Sequence, residues 1–271
     1  MKQRIHPLAA APIVPIVLLL ASCASPPPKV AYLPPVKPAH RPVNITPEPE
    51  YPLSPHSGPR TVGDILADFG PYAVDQLRPH FQQAGVAYPP REVTLIAIKD
   101  ERRLEVWARN DGAYRWIRDY SILAASGVGG PKLRQGDRQV PEGEYRIVRL
   151  NPNSNYHLSM RLDYPNEFDR FHAREEGRAD PGSDIFIHGK NVSAGCLAMG
   201  DAAIEELFVL TAHTGEDMVR VLISPRDPRP GPLEARENLP FWTRELYARI
   251  SQEILAYGRP VKLSSRPAQV R

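Results

Sequence analysis

The chain has 271 residues, 42% of them hydrophobic and 24% charged, enough to bury one sizeable core with appendages. Its formal net charge is only +3, and Lys2 and Arg4 supply two of the positive charges within the first few positions. So weak a balance, with no basic clusters interleaved with aromatics, argues against a nucleic-acid partner.

The first element is the apolar run from Leu8 to Leu20, LAAAPIVPIVLLL. It is too short and too proline-interrupted for a transmembrane helix and suits a signal peptide over residues 1–22. The run closes on Leu20-Ala21-Ser22-Cys23, which resembles the bacterial lipoprotein signal. That resemblance implies lipidation of Cys23 as the new N-terminus. With Ala24 next rather than Asp, it also implies a periplasmic protein anchored to the outer membrane. The alternative is an ordinary signal peptide with Cys23 incidental and the protein secreted to the periplasm. Residues 23–60 carry 12 prolines in 38 residues. Such a segment builds no core and is expected to be an extended linker reaching at most roughly 120 Å.

Residues 61–90 read as a helical N-terminal segment. Thr61 with Asp64 forms a capping-box variant, Leu77, Phe81 and Ala84 give an apolar face, and Gly85 is a stop. Gly70-Pro71 and Pro79 are expected to break this segment into short helices. After Pro89-Pro90 the period changes to strands at Val93–Ile98, Leu104–Ala108 and Tyr114–Ile122, a meander of hairpins. Gly127-Val128-Gly129-Gly130-Pro131 lacks the Gly-Lys-Ser/Thr ending of a phosphate loop and is read as a turn. A further strand follows Val140-Pro141-Glu142-Gly143 and runs to Leu150. Residues 151–156 form a turn, His157–Leu162 a strand, and residues 165–181 a charged irregular excursion. Asp201–His213 reads as a capped helix and Met218–Ile223 as the last strand. Residues 226–271 leave the domain through a proline cluster and return as an amphipathic helix over Phe241–Ala256.

The chemistry concentrates in residues 183–200, SDIFIHGKNVSAGCLAMG. An apolar run ending in His188-Gly189 reads as a buried strand that carries an imidazole to its rim. Cys196, in the turn Ser193-Ala194-Gly195-Cys196, would face it from near the start of the helix at Asp201. A helix dipole and an adjacent imidazole both favour thiolate, the state needed for nucleophilic acyl transfer. Three plainer readings stand beside this one. Cys196 is a small buried hydrophobe and His188 a structural residue; or the two belong to a zinc site completed by His157, His172 or Asp184; or Ser193 is the nucleophile. Zinc sites carry paired Cys or His at short spacing, which is missing here, so no metal and no cofactor is expected. No Gly-x-Ser-x-Gly elbow surrounds Ser193. With Cys23 lipidated, Cys196 is the one remaining thiol, unable to form an intramolecular disulfide in an oxidising compartment, which favours a nucleophilic role.

Together, Val140-Pro141-Glu142-Gly143-Glu144-Tyr145-Arg146-Ile147, Ile187-His188-Gly189 and Ser193-x-Gly195-Cys196 resemble the L,D-transpeptidase catalytic domain, or YkuD type, of bacterial cell-wall enzymes. The resemblance implies an α+β, mainly β fold over residues 91–225. A β-sandwich or partial barrel would carry a helix after the catalytic cysteine, flanked by N- and C-terminal helices. Ala194 stands where the common pattern has His, Ala198 where it has Asn or Arg, and the gap from His188 to Ser193 is short. These features, with Asn151-Pro152-Asn153-Ser154 and Leu162-Asp163-Tyr164-Pro165-Asn166, are similar to the YafK-like branch. The implied partners are peptidoglycan stem peptides, attacked by Cys196 at meso-diaminopimelate to give a thioester. His188 would transfer the proton, oriented through a backbone carbonyl assigned to Gly189. Ser193 and Gly195, with backbone N–H groups near Cys196, are the expected substrate-binding and oxyanion site. An amine acceptor gives transpeptidation. Water gives hydrolysis, which in this branch is implicated in releasing a peptidoglycan-attached outer-membrane lipoprotein. A non-catalytic wall-binding lipoprotein and a structural tether are the remaining alternatives.

Overall fold

The computed structural model describes residues 58–258. The signal peptide, Cys23 and all but the last three residues of the 23–60 linker lie outside the described residues, as does the end of the C-terminal segment.

The first helix, α1 (Val62–Ala84), is continuous, contrary to the expected breaks at Pro71 and Pro79. Its entry is closed by the Thr61/Asp64 capping box and its exit by Gly85 in the left-handed conformation. Ile65, Phe69, Ala73, Leu77 and Phe81 recur every fourth residue and are buried, whereas both prolines lie on the exposed face. The carbonyls that lose an intrahelical partner therefore face water, and burial of the opposite stripe holds the helix together.

Nine strands follow: β1 (Glu92–Ile98), β2 (Arg103–Arg109), β3 (Arg115–Ser121), β4 (Ala124–Ala125), β5 (Gly143–Ser154), β6 (His157–Leu162), β7 (Phe186–His188), β8 (Leu197–Ala198) and β9 (Val219–Ser224). They form one hydrogen-bonded sheet in the order β3-β2-β1-β9-β5-β6-β7-β8-β4, so it ends at two edges and does not close on itself. The expected meander is β1–β2–β3. The last strand in sequence is central in space, since β9 runs parallel to β1 and antiparallel to β5. The twelve-residue β5 belongs to both halves of the sheet and extends past the turn expected at Asn151 as far as Ser154.

Against one face of the sheet pack α1 and α3 (Asp201–Thr214), and their buried residues join those of the strands in the main core. The excursion at 165–181 contains an unanticipated helix, α2 (Glu167–Glu175), opened by a capping box between Asn166 and Asp169. Its charged composition hid a local start signal that was present. The last helix, α4 (Thr243–Leu255), packs on the other face of β1, β2 and β9. There Leu246, Tyr247, Ile250 and Ile254 meet Ile96, Ile98, Trp107 and Leu222. With both faces covered, β1 is buried almost throughout rather than alternately.

Two buried carboxylates fasten the C-terminal segment to this sheet. Glu105 receives both terminal nitrogens of Arg229 at 2.9 and 2.7 Å and the Trp107 indole N–H at 2.7 Å. Glu142, in the turn before β5, accepts from Lys99 at 2.9 Å, from the Gly130 N–H at 2.8 Å and from the Tyr247 hydroxyl at 2.9 Å. Lys99 also donates to the carbonyls of Val128 and Val140. The glycine-rich turn is thereby clamped by its own backbone, and Leu239 lies so close to Gly130, at φ +136°, that a Cβ would fall 2.9 Å from its Cδ2. Its glycines serve a close approach by the C-terminal segment.

Two outcomes follow from these buried groups. Tyr247→Phe leaves one Glu142 oxygen short of a donor and is expected to cost about 1–3 kcal/mol in urea unfolding. Asp169, at the start of α2, is pushed up to about 7, chiefly by burial, against the Asn166 N–H and Tyr145 hydroxyl that favour its ionised form. Because the folded value lies above the unfolded one, stability present at low pH is lost as pH rises from about 4 through about 7, by an amount on the order of a few kcal/mol. Asp169→Asn is expected to flatten thermal stability across that window.

Candidate active site

The strands that carry the site are short, and their pairing fixes where the side chains go. β7 and β8 run parallel with Ile187 beside Leu197 and His188 beside Ala198. Ile187 and Leu197 both point into the main core. Alternation then sends His188 and, one residue before β8, Cys196 to the opposite face of the sheet. The helix expected after Cys196 starts at Asp201, as the sequence indicated. Strand β8 and residues 199–200 intervene before α3, which starts without a side-chain cap. Asp201 instead accepts the Lys190 N–H at 2.8 Å, holding the loop after His188.

His188 is buried, and its Nδ1 lies 2.7 Å from the Gly189 carbonyl oxygen. A carbonyl only accepts, so Nδ1 carries the proton and Nε2 is left with a lone pair. Burial lowers the imidazole below its ordinary value, and the hydrogen bond to Gly189 opposes this. Gly189 has a second task. A Cβ there would lie 2.6 Å from the Tyr156 carbonyl oxygen and 2.7 Å from Asp201 Oδ1, so the β5–β6 hairpin closes on it only because it is glycine. That closure lays the Tyr156 ring over the imidazole at a centroid distance of 4.5 Å.

Cys196 is half-buried, and its thiol donates to the Asp184 carbonyl at 3.8 Å. Burial pushes the thiol above its ordinary value; the Phe186 backbone N–H and the Lys132 ammonium pull it down, and Asp184 adds to the rise. The resting group is a thiol. Lys132 is buried and held by Asp137 at 2.6 Å and the Arg134 carbonyl at 3.0 Å.

Ser193 does not face outward as a substrate-binding group. Its Oγ donates to the Cys196 carbonyl at 2.7 Å and accepts from the N–H groups of Gly195 at 3.3 Å and Cys196 at 3.1 Å. The two donors expected at the oxyanion position are thus occupied by the turn's own hydroxyl, which is what fixes the turn. Gly195, at φ +119°, supplies a conformation that L side chains rarely adopt. Of the residues weighed as zinc ligands, His157 pairs with Glu205 at 2.7 Å and His172 stacks on Trp242 at 4.6 Å, so neither converges on Cys196. Among the described residues no three His, Cys, Asp or Glu side chains are grouped to hold a metal.

Residues 92–223 match the family model of the L,D-transpeptidase catalytic domain. The matched segment is just under half of the chain. Over 138 residues the chain is 37% identical to YafK of Escherichia coli strain K12, a protein whose L,D-transpeptidase designation is provisional. The match covers 49% of this chain and 54% of YafK, so the chain spans about half the length of that relative. Among solved structures, the helical cell shape determining protein Pgp2 of Campylobacter jejuni is 20% identical, with a TM-score of 0.42 over 56% of each chain. L,D-transpeptidase 1 of Mycobacterium tuberculosis is 13% identical, with a TM-score of 0.28 over 49% of this chain and 62% of its own.

Within the matched segment the structure brings His188 and Cys196 to one sheet face with the Gly189 carbonyl on the imidazole, and it adds Lys132, which the sequence did not single out. A lysine ten residues before a strand carries no local signal; its nearness to the thiol depends on a loop folding back. Tyr156, like Asp163 and Arg161, reads from the sequence equally as a substrate contact or as ordinary strand or turn surface. α4, Arg229 and Tyr247 lie beyond the matched segment, yet brace its sheet and glycine-rich turn.

The raised thiol has a direct consequence. Alkylation of Cys196 by iodoacetamide is expected to be slow near neutrality and still climbing at about pH 9, beyond the ordinary thiol midpoint near 8.5. Lys132→Met removes a cation that favours thiolate, so it is expected to move that rise to higher pH.

Proposed function

We propose that the protein is a cysteine-dependent L,D-transpeptidase that acts on peptidoglycan stem peptides at meso-diaminopimelate in cell-wall remodelling. The observation that carries this reading is the shared sheet face of His188 and Cys196, with His188 Nδ1 committed to the Gly189 carbonyl and Nε2 left basic.

In this reading His188 Nε2 takes the Cys196 proton as the sulfur attacks the stem-peptide carbonyl. Imidazolium then returns it to the departing amine, leaving a thioester on Cys196. An acceptor amine attacks the thioester, its proton passes to His188, and the released thiolate is reprotonated. A thiol raised by burial and an imidazole lowered by burial favour proton transfer during attack over a preformed ion pair. Oxyanion stabilisation requires that Ser193 release the Cys196 N–H or that another donor serve. The same steps with water as acceptor give a hydrolase able to free a peptidoglycan-attached lipoprotein. The reading puts the domain in the periplasm, tethered to the outer membrane through Cys23, on the support of the Leu20-Ala21-Ser22-Cys23 sequence and the proline-rich linker.

The test is mass spectrometry of products from purified sacculi, with and without attached lipoprotein, incubated with the full chain or its Cys196→Ala variant. New cross-linked or exchanged stem peptides that vanish in the variant are expected, a loss of at least about a thousandfold. Cys196-dependent release of lipoprotein or shortened stems, without new linkages, would replace transpeptidation by hydrolysis. Equal product from both proteins would remove Cys196 from the chemistry.

A further inference from the structure

The sheet register continues beyond the two candidate catalytic residues. β6 pairs with β7 so that Ser159 lies beside His188 and Arg161 beside Phe186. Extending the β7–β8 register by one residue sets Phe186 beside Cys196. Arg161, Phe186 and Cys196 thus form one row across three strands, with Leu158, Met160 and Leu162 turned inward to the core. Two strand spacings, about 10 Å, separate the Arg161 and Cys196 backbones, a gap that an arginine side chain largely spans.

Asp184 occupies this gap. Its backbone carbonyl accepts the Cys196 thiol at 3.8 Å, and its carboxylate Oδ1 meets Arg161 Nη2 at 3.1 Å. The carbonyl carbon and the carboxylate carbon of an aspartate are three bonds apart. The same three bonds separate a scissile carbonyl carbon from the free carboxylate of a single residue beyond it. Asp184 therefore presents to sulfur and guanidinium the two groups that the end of a donor peptide would present.

The Arg161–Asp184 contact is also incomplete. It uses one arginine nitrogen, while Arg161 Nε is buried with no hydrogen-bond partner among the described residues. Asp184 Oδ2 also accepts the Ser183 hydroxyl at 3.1 Å, and with side chains 38% and 64% exposed the aspartate can leave Arg161 for water by giving up these two exposed bonds. A carboxylate bound to both Nε and a terminal nitrogen satisfies the fork that Asp184 leaves half-used. Asp184 holds a left-handed backbone conformation, φ +57°, which keeps its carbonyl at the sulfur whichever way the side chain turns.

We propose that Arg161 binds the C-terminal carboxylate of the donor peptide, Asp184 being its partner when the site is empty. This deepens the proposed transpeptidase reading and rests on it for the substrate class.

Binding is measured by isothermal titration of full-length Cys196→Ala protein with a synthetic stem peptide ending one residue beyond meso-diaminopimelate, as free acid and as C-terminal amide. The amide is expected to bind about tenfold or more weaker, the scale of a lost charged hydrogen bond. In Cys196→Ala/Arg161→Ala the two peptides are expected to bind alike, at the amide's level, with Cys196→Ala/Arg161→Lys between. With Cys196 intact, Arg161→Ala is expected to raise KM about tenfold and leave kcat within about threefold. Equal binding of acid and amide to the Arg161-containing protein, or no binding of the acid, overturns the proposal without reference to any arginine variant. Acid–amide discrimination with no Cys196-dependent turnover of sacculi would overturn the transpeptidase reading and leave the carboxylate site standing.

Discussion

The parallel pairing of β7 with β8 is the constraint from which the site follows. It joins only five residues, Phe186–His188 and Leu197–Ala198, and its strength comes from burying Ile187 and Leu197 side by side. Once those two point inward, a period of two leaves His188 and Cys196 no choice but the other face. A slip of one residue would turn the sulfur and imidazole into the main core and two aliphatic side chains out of it, so the hydrophobic core itself enforces the register. The loop between the strands is held by its own polar contacts, Lys190 N–H to Asp201 at one end and the Ser193 hydroxyl at the other.

The rest of the fold protects this pairing from both sides. On the core face α1 and α3 complete the apolar packing. The far half of the sheet is covered by α4, whose Tyr247 reaches Glu142 at the start of β5, the strand common to both halves. Glu142 and Glu105 are charges with no exposure to water, tolerable only because each is supplied with several donors. Those donors come from distant parts of the chain, so the carboxylates act as junctions between the sheet and the C-terminal segment. The C-terminal segment is thereby fastened to the sheet at two buried points.

The same low-polarity surroundings set the chemical character of the site. Desolvation holds the imidazole neutral and the thiol protonated, so charge is created only when a proton moves from one to the other. Lys132 offsets part of that cost for the sulfur. Keeping the sulfur protonated at rest also limits its oxidation.

The sequence alone determined the local elements and the candidate pair. Capping residues, glycine stops and a change of hydrophobic period are local signals, and they placed α1, most strands, α3 and α4 within a few residues. Cys196 and His188 stood out as reactive residue types close in sequence, and the Gly189 carbonyl was assigned through the family resemblance. Local signals also misled. Pro71 and Pro79 read as breaks because the sequence does not reveal that both lie on the solvent face, and α2 was masked by its charges despite its Asn166–Asp169 cap. Tertiary structure alone decided three further matters: the insertion of β9 between β1 and β5, the row from Cys196 to Arg161, and the placement of Lys132 and Tyr156 around the candidate pair. Each depends on residues tens of positions apart brought to one sheet face, and such contacts arise from the register of paired strands rather than from any property of the segments taken singly.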